Sequence, residues 1–210
     1  MWTLSTTQIL LASASPRRLE LLRQLHIAVD QLVLPADADD EPRLAGETVT
    51  DYVMRTSAEK NFKAQRYVEQ KAPMLAGLPI LSGDTTVAIE QTILGKPADD
   101  RDAERILRQL SGQTHDVYSA VTINWRGQTE HALSHSRVTF SDLTDAQIRA
   151  YVQTGEPRGK AGAYGIQGCA ASFISRIEGS YTGIVGLALY ETAQMLQTMG
   201  LLVPAQSRSE

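Results

Sequence analysis

Hydrophobic positions follow two different periods along the chain, one typical of short buried strands and one typical of amphipathic helices. An apolar run at residues 8–12 predicts a strand, and leucines at helical spacing follow it. The predicted strands span residues 8–12, 28–34, 78–81, 87–89, 92–94, 117–123, 128–140 and 173–177. The predicted helices span residues 16–24, 48–70, 100–110, 144–154 and 188–199. Capping boxes at Thr48 and Thr144 support the starts of two of these helices.

The start of the first helix carries an unusual pair of charges. Ser15 suits the N-cap, and Pro16 suits the first helical position. Arg17 and Arg18 follow at a helix terminus that is already electropositive, so a bound phosphate would offset their repulsion. The stretch therefore indicates a phosphate site, although two solvated arginines on an ordinary capped helix fit this octet equally well.

A carboxylate comes directly after the strand predicted at residues 78–81. Asp84 follows Gly83 there, and ligands in α/β proteins bind beyond strand ends. The residue is either a catalytic acid or a cap on the local turn. Because the chain returns through residues 92–94, Lys96 is expected beside Asp84.

A glycine-rich stretch at residues 159–168 is the second unusual feature. Its glycines allow the backbone to approach a ligand closely. Lys160 supplies a cation, and Gln167 supplies an amide that can both donate to and accept from a nucleobase. The alternative interpretation is a mobile loop without a ligand.

Two groups of residues could hold a metal ion. The acidic run at residues 37–41 offers oxygen ligands for a hard divalent cation, or is simply a solvated turn. His115 is at the start of a predicted strand, and His131 and His135 lie on an extended segment without a third ligand nearby, so all three are interpreted as ordinary polar histidines.

Composition limits the classes of partner. A chain of 210 residues fits one domain, or one domain with a smaller lobe, and its formal charge of −4 disfavours nucleic acid and acidic membranes as partners. Cys169 is the single cysteine, which excludes an internal disulfide. The sequence contains no apolar run long enough to span a membrane and no export signal at its start, so the expected location is the cytoplasm.

Four stretches, spread over nearly the whole chain, together resemble the Maf family of nucleoside triphosphate pyrophosphatases. They are residues 13–18 (SASPRR), residues 83–85 (GDT) with 95–97 (GKP), residues 111–115 (SGQTH) and residues 160–168 (KAGAYGIQG). Each motif alone is weak, but their order and spacing make the resemblance strong.

The resemblance implies an α/β fold with a mixed, twisted central sheet, flanking helices and two lobes around a cleft, related to the inosine triphosphatase fold. One such domain would span residues 1–210 and form a homodimer. The implied reaction cleaves a nucleoside triphosphate between the α and β phosphates with Mg²⁺ or Mn²⁺. The form of residues 160–168 is similar to the branch that acts on dTTP and UTP, whereas the branch that prefers 7-methyl-GTP has a glutamate at the position of Gln167.

The resemblance also implies roles for individual residues. Asp84 matches the family's proton acceptor and is also a candidate metal ligand. Substrate selection is implied for Arg17, Thr85 and Gln167. Lining of the phosphate site is implied for Ser13, Arg18, Lys60 and Lys96, to which the residue chemistry adds Lys160.

The chain departs from the family pattern in two places. Thr56 and Ser57 replace the usual leucine and alanine on the helix that carries Lys60. The acidic loop is longer, so either Asp40 or Glu41 is the expected acid, and Glu41 is the second candidate metal ligand.

Two other classes of function use a nucleotide site of this kind. A regulatory protein of cell division would bind the nucleotide as a sensor without turnover. A nucleotidyl transferase would join the nucleotide to a second substrate. Release of pyrophosphate together with free monophosphate distinguishes a pyrophosphatase from both.

Overall fold

The computed structural model describes residues 2–35 and 42–204. Six α-helices lie within these ranges: α1 (Pro16–Arg23), α2 (Val49–Lys71), α3 (Asp100–Leu110), α4 (Asp145–Gln153), α5 (Tyr181–Val185) and α6 (Leu189–Thr198). The same ranges contain nine strands: β1 (Trp2–Leu4), β2 (Ile9–Leu11), β3 (Val29–Gln31), β4 (Ile80–Ile89), β5 (Thr92–Leu94), β6 (Thr114–Trp125), β7 (Gln128–Phe140), β8 (Ile174–Glu178) and β9 (Leu202–Pro204). None of the helices in the described part is long and apolar enough to cross a membrane.

Most of the described strands form one mixed sheet. Its order is β3-β2-β4-β6-β7-β8, with β5 added beside β4, and β1 pairs with β9 in a separate two-stranded sheet. β2 is parallel to both β3 and β4, whereas the remaining pairs of the large sheet are antiparallel. The predicted mixed sheet with flanking helices is therefore confirmed.

Helices cover both faces of this sheet. α2 lies on one face, where Val53 packs with Ala88 and Ala120, and Ala64 packs with Leu10 and Ile80. The main core occupies the other face, where Leu81 and Val87 of β4 pack with residues of α1, α3, α4 and α6. Because side chains alternate along a strand, Asp84 is on the α2 face and Thr85 is on the main-core face.

The structure corrects the prediction that Asp84 follows the end of a strand. The strands predicted at residues 78–81 and 87–89 are two parts of β4, which runs through Asp84 without a break. The reason is the long neighbour β6, which pairs with every residue from Ile80 to Ala88. Ser82, Gly83 and Thr86 carry little apolar signal, so this pairing is a tertiary effect.

Other boundaries differ less. α1, α3 and α4 match their predicted ranges within a residue or two. The strand predicted at residues 28–34 shortens to β3, which is paired only with β2. The pairing of β1 with β9 joins the two ends of the described chain, a contact that local periodicity does not carry.

Candidate active site

One edge of β4 is left open in the middle of the sheet. β2 pairs with β4 only at Ile80 and Leu81, and β5 begins to pair at Val87. Residues 82–86 therefore have no strand partner on this edge within the described part of the chain. This edge opening, defined by residues 82–86, lies beyond the carboxyl end of β2, which is where ligands bind in α/β sheets.

Asp84 lies in the edge opening and faces α2. Its Oδ1 accepts a hydrogen bond from Nζ of Lys60 at 2.6 Å, and its Oδ2 is 3.4 Å from Oγ1 of Thr86. The Asp84 side chain retains 15% of its accessible surface and the Lys60 side chain 31%. The acid is thus largely buried and paired, yet it remains reachable from solvent.

The charge state of Asp84 is set by a balance of opposing effects. Burial raises the pKa of the Asp84 carboxyl, but the charges of Lys60 and Arg18, with hydrogen bonds from Lys60 and Thr56, hold this pKa below its usual value. Asp84 is therefore ionised at neutral pH and can accept a proton. The ion-pair partner is Lys60 of α2, where the sequence had suggested Lys96 from the hairpin.

The other face of β4 carries a hydrogen-bonded arginine. Nε of Arg18 donates to the carbonyl oxygen of Gly186 at 2.8 Å, Nη1 is 3.3 Å from Oγ of Ser13, and Nη2 is 3.3 Å from Oγ1 of Thr85. Burial lowers the pKa of Arg18, and the Asp84 carboxylate opposes this effect. The guanidinium is fixed from three directions.

Arg18 and Ser13 both keep hydrogen-bond donors for a ligand. A guanidinium has five N–H groups, and the contacts to Gly186, Ser13 and Thr85 use three of them. Oγ of Ser13 accepts from Nη1 of Arg18 and from the backbone N–H of Ser15, so both of its lone pairs are engaged. Its own O–H has no acceptor within the described residues. The spare groups are all donors, which suits a phosphate.

Of the remaining predicted cations, Arg17 and Lys160 lie near each other. The charge of Arg17 helps to lower the pKa of Lys160, after the larger effect of burial, which means that Arg17 is close to the glycine-rich stretch. Lys160 itself donates to the backbone carbonyl of Glu156. Lys96 is exposed, two residues beyond β5.

The glycine loop, residues 159–168, is packed against the sheet. The backbone N–H of Gly162 donates to the carbonyl of Gly95 at 3.1 Å, and a Cβ at Gly162 would lie 2.9 Å from Cγ1 of Val87. A Cβ at Gly168 would overlap the carboxylate of Glu156. At Gly162 a side chain would meet Val87 and the φ of +70° also favours glycine, so the backbone of the loop is packed closely against β4 at this point.

Glu156 holds the end of the glycine loop. Its carboxylate accepts hydrogen bonds from the hydroxyl of Tyr151 at 2.8 Å and from the backbone N–H of Cys169 at 2.8 Å. Burial raises the pKa of Glu156, but these hydrogen bonds and others lower it overall. The hydroxyl of Tyr151 also accepts from the N–H of Gly165 at 3.3 Å. One half-buried acid thus organises both ends of the segment that carries Gln167.

His115 anchors the same loop from the core. Its Nε2 lies 2.9 Å from the hydroxyl of Tyr164, and both rings pack edge to face against Phe140. Burial lowers the pKa of His115 to about 4. His115 is therefore a buried histidine bonded to Tyr164, whereas His131 bonds Thr122 and His135 bonds Asp116.

Gln167 is presented outward by this anchored loop. Its side chain is exposed, and its amide has no hydrogen-bond partner within the described residues. The amide is therefore available to a ligand. Its predicted role in substrate selection stays a prediction.

The described residues contain no cluster of three or more histidine, cysteine or acidic side chains that could hold a metal ion. Glu41 and Asp40, the acids expected beside Asp84, lie outside the described residues. A single carboxylate still fits Mg²⁺ or Mn²⁺, because such ions are often held by one or two carboxylates together with substrate phosphates. Asp84 is therefore a suitable protein ligand for a cation that arrives with a triphosphate.

Three contributors to the site were not singled out from the sequence. The carbonyl of Gly186 holds Arg18 and Thr85, the hydroxyl of Ser119 is 3.1 Å from Oγ1 of Thr85, and the hydroxyl of Thr56, which is 3.1 Å from the carbonyl oxygen of Val53, helps to lower the pKa of Asp84. The departure from leucine at position 56 was the signal for Thr56. A backbone carbonyl has no sequence signal, and Ser119 lies within an ordinary strand pattern.

Comparison with known proteins identifies relatives over most of the chain. The family model described as "Maf-like protein" matches residues 8–199. The "dTTP/UTP pyrophosphatase" of Cupriavidus pinatubonensis is 53% identical over 191 residues, which cover 89% of this chain and 94% of that protein. The protein of the same name from Bordetella parapertussis is 46% identical over 198 residues, covering 94% and 95%.

A solved structure was also matched. "The structure of the Staphylococcus aureus Ham1 protein" aligns with 64% of this chain and 72% of that chain, at 12% identity and a TM-score of 0.40. The family assignment rests on the sequence matches alone, which span nearly all of the described residues. By the extent of these matches, the chain belongs to the Maf-like protein family.

Proposed function

We propose that this protein hydrolyses dTTP and UTP between the α and β phosphates, giving a nucleoside monophosphate and pyrophosphate. The observation that carries the proposal is Asp84, an ionised and partly accessible carboxylate in the edge opening, with Lys60 and Arg18 on either side of the strand. The relatives named dTTP/UTP pyrophosphatase support the choice of substrates.

Asp84 acts as the general base in this proposal. The oxygen of a water molecule attacks the α-phosphorus, one water proton passes to the Asp84 carboxylate, and the bond from the α-phosphorus to the bridging oxygen breaks. Pyrophosphate leaves with the electron pair of that bond. The low pKa of Asp84 keeps the carboxylate ready to accept the proton at neutral pH.

The cationic side chains bind the triphosphate and stabilise the charge of the leaving group. Arg18 and Ser13 offer the spare donors described above, while Arg17, Lys60, Lys96 and Lys160 supply further positive charge around them. Asp84 is the residue that would hold a divalent cation, and such a cation would supply additional charge neutralisation. A preference for Mg²⁺ or Mn²⁺ is part of the proposal.

Gln167 recognises the base. Uracil and thymine present a carbonyl oxygen beside an N–H group, and an amide can donate to the first and accept from the second. A carboxylate can only accept, so it does not match this edge. The exposed amide of Gln167, on a loop fixed by Glu156 and Tyr164, is suited to this role.

A panel of nucleoside triphosphates with Mg²⁺ or Mn²⁺ tests the proposal. We expect dTTP and UTP to be cleaved fastest, with pyrophosphate and monophosphate formed in equal amounts. Orthophosphate as the first product would contradict cleavage at the α-phosphorus. Binding without turnover would indicate a sensor, and a nucleotide conjugate formed with an added acceptor would indicate a transferase. The homodimer and the cytoplasmic location stay predictions.

A further inference from the structure

The hydroxyl of Thr85 lies at the centre of a partly buried hydrogen-bond network. Its Oγ1 is 3.3 Å from Nη2 of Arg18, 3.2 Å from the carbonyl oxygen of Gly186 and 3.1 Å from Oγ of Ser119. A hydroxyl group has one proton to donate and two lone pairs to accept with. Three partners therefore account for its whole hydrogen-bonding capacity.

The chemistry of the partners fixes the direction of each bond. A guanidinium only donates, so Thr85 accepts from Arg18. A carbonyl only accepts, so Thr85 gives its single proton to Gly186. The bond to Ser119 must then use the Ser119 proton and the second lone pair of Thr85. Thr85 has no donor or acceptor left for a nucleotide.

Thr85 and Gly186 together hold one guanidinium. The carbonyl of Gly186 accepts from Nε of Arg18 at 2.8 Å as well as from Thr85. Ser119 lies directly opposite Thr85 in the β4–β6 register and is 1% exposed. Ser119 is thus too buried to touch a substrate, yet it completes the network that sets the orientation of Arg18.

We propose that Ser119 is a positioning residue for the reaction. Its hydroxyl orients Thr85, and Thr85 orients Arg18 toward the triphosphate, so Thr85 acts through Arg18 and not by touching the nucleotide. This inference rests on the proposed function in one respect, which is that Arg18 binds the phosphates.

A double-mutant cycle tests this chain of contacts. Ser119→Ala removes the donated proton, and Thr85→Val removes the hydroxyl at nearly constant shape. We expect each single variant to lower kcat/KM for UTP by about three- to tenfold, the range for one net hydrogen bond. In the double variant, Ser119→Ala should cause no further loss of kcat/KM. In this proposal Ser119 affects Arg18 through the Thr85 hydroxyl, which Thr85→Val has already removed. Thr85→Ser should restore most of the activity.

Thr192→Val is the matched control. Thr192 is fully buried on α6, and its hydroxyl bonds only the carbonyl of Ala188, at 2.7 Å. This variant loses one buried hydroxyl without involving Arg18, so its kcat/KM should equal that of the wild type. Wild-type activity in Ser119→Ala, or losses that multiply in the double variant, would overturn the proposal.

Calorimetric binding of inorganic triphosphate separates this inference from the proposed function. We expect the dissociation constant to rise by a similar factor in Ser119→Ala and Thr85→Val, again without additivity. If the wild type shows no hydrolysis, the proposed function fails and the positioning role is judged on binding alone. If the wild type is active but triphosphate binds Ser119→Ala unchanged, the positioning role is wrong.

Discussion

The edge opening and the glycine loop hold their functional side chains in opposite ways. In and beside the edge opening, Asp84 and Arg18 are partly buried, charged and already bonded to protein partners. In the glycine loop, the backbone is anchored through Glu156 and Tyr164, while the side chain of Gln167 is exposed and unpaired within the described residues. In the edge opening the functional side chains themselves are held by hydrogen bonds. In the glycine loop only the backbone is held, and the side chain of Gln167 is not.

The difference follows from what each region must recognise. Phosphates and an attacking water are common to every nucleoside triphosphate, so fixed charges stabilise the transition state without reorganisation. A base is distinguished by donors and acceptors at its edge, which an exposed amide on a rigid loop can match. Five predictions follow from this division, ordered from the largest expected effect to the smallest.

Replacing Asp84 should abolish most of the hydrolysis while leaving nucleotide binding nearly unchanged. In Asp84→Asn we expect kcat to fall by about 10²- to 10⁴-fold, the usual contribution of a general base, because the amide cannot accept the proton. Affinity for UTP should change little. Stopped-time pyrophosphate assays and calorimetry measure the two quantities, and near-normal turnover would reject Asp84 as the base.

Removing the cation that pairs with Asp84 should alter both rate and pH dependence. In Lys60→Met we expect kcat/KM to fall by about ten- to a hundredfold, as for loss of one charged hydrogen bond. The Asp84 pKa should rise, because the charge that lowers it is gone, so the acidic limb of the pH–rate profile moves to higher pH. Lys71→Met, at an exposed position of the same helix, is the control. An unshifted acidic limb would contradict the assignment.

Changing the exposed amide of Gln167 should alter the preference among nucleotides and not the rate of the cleavage step. In Gln167→Glu we expect the preference for UTP over GTP to shrink by about tenfold, since one hydrogen bond to the base becomes repulsive. The same change at exposed Gln153, outside the glycine loop, should have no effect. An unchanged ranking of nucleotides would remove Gln167 from base recognition.

Loosening the frame of the glycine loop should have a milder effect of the same kind. Glu156→Gln gives up part of the acceptor capacity that serves Tyr151 and Cys169, so we expect about a threefold loss in base preference and a lower melting temperature. Triphosphate affinity should remain. If Glu156→Gln weakens triphosphate binding more than it weakens base preference, the proposed division between the two regions is wrong.

Acid should weaken the core anchor of the loop. Above pH 6.5, His115 is neutral in both states; between about 6.5 and 4 only the unfolded chain takes up its proton, so stability falls as the pH decreases. The slope from this group is about 1.4 kcal/mol per pH unit, and the contribution levels off below pH 4. Within the described part of the chain, the buried Nδ1 has no partner that could accept a hydrogen bond from the charged ring.

Urea unfolding of the wild type and of His115→Gln at several pH values measures this effect. The stability difference between them should shrink or reverse as the pH falls through this window. His26→Asn, at an exposed position, should follow the wild type. Parallel curves for His115→Gln and the wild type would contradict a buried neutral histidine.

Much of the fold was readable from local patterns. Caps at Ser15, Thr48 and Thr144 bond the predicted backbone N–H groups, because capping is a contact between residues three apart. The amphipathic spacing of α3 likewise gave its buried face. Phosphate recognition was suggested by arginines at a helix start, where local electrostatics disfavours them.

Contacts between residues far apart in the sequence could not be predicted from local patterns. Lys96 looked like the partner of Asp84 because it is near in sequence, whereas Lys60 reaches the acid from a helix that packs across the sheet. The glycines of residues 159–168 predicted close approach, but the contacted groups, Val87 and Glu156, come from separate elements.

The sequence by itself determined the elements, the family and the residue types that a triphosphate requires, since these depend on short-range periodicity, capping and motif order. Only the tertiary structure decided which groups are already engaged. The partial pairing of β2 and β5 with β4 creates the edge opening, and alternation along β4 sends Asp84 to Lys60 and Thr85 to Arg18 and Ser119. The pairing of strands decides which donors and acceptors are already used by protein partners, because each proton and each lone pair can serve only one hydrogen bond.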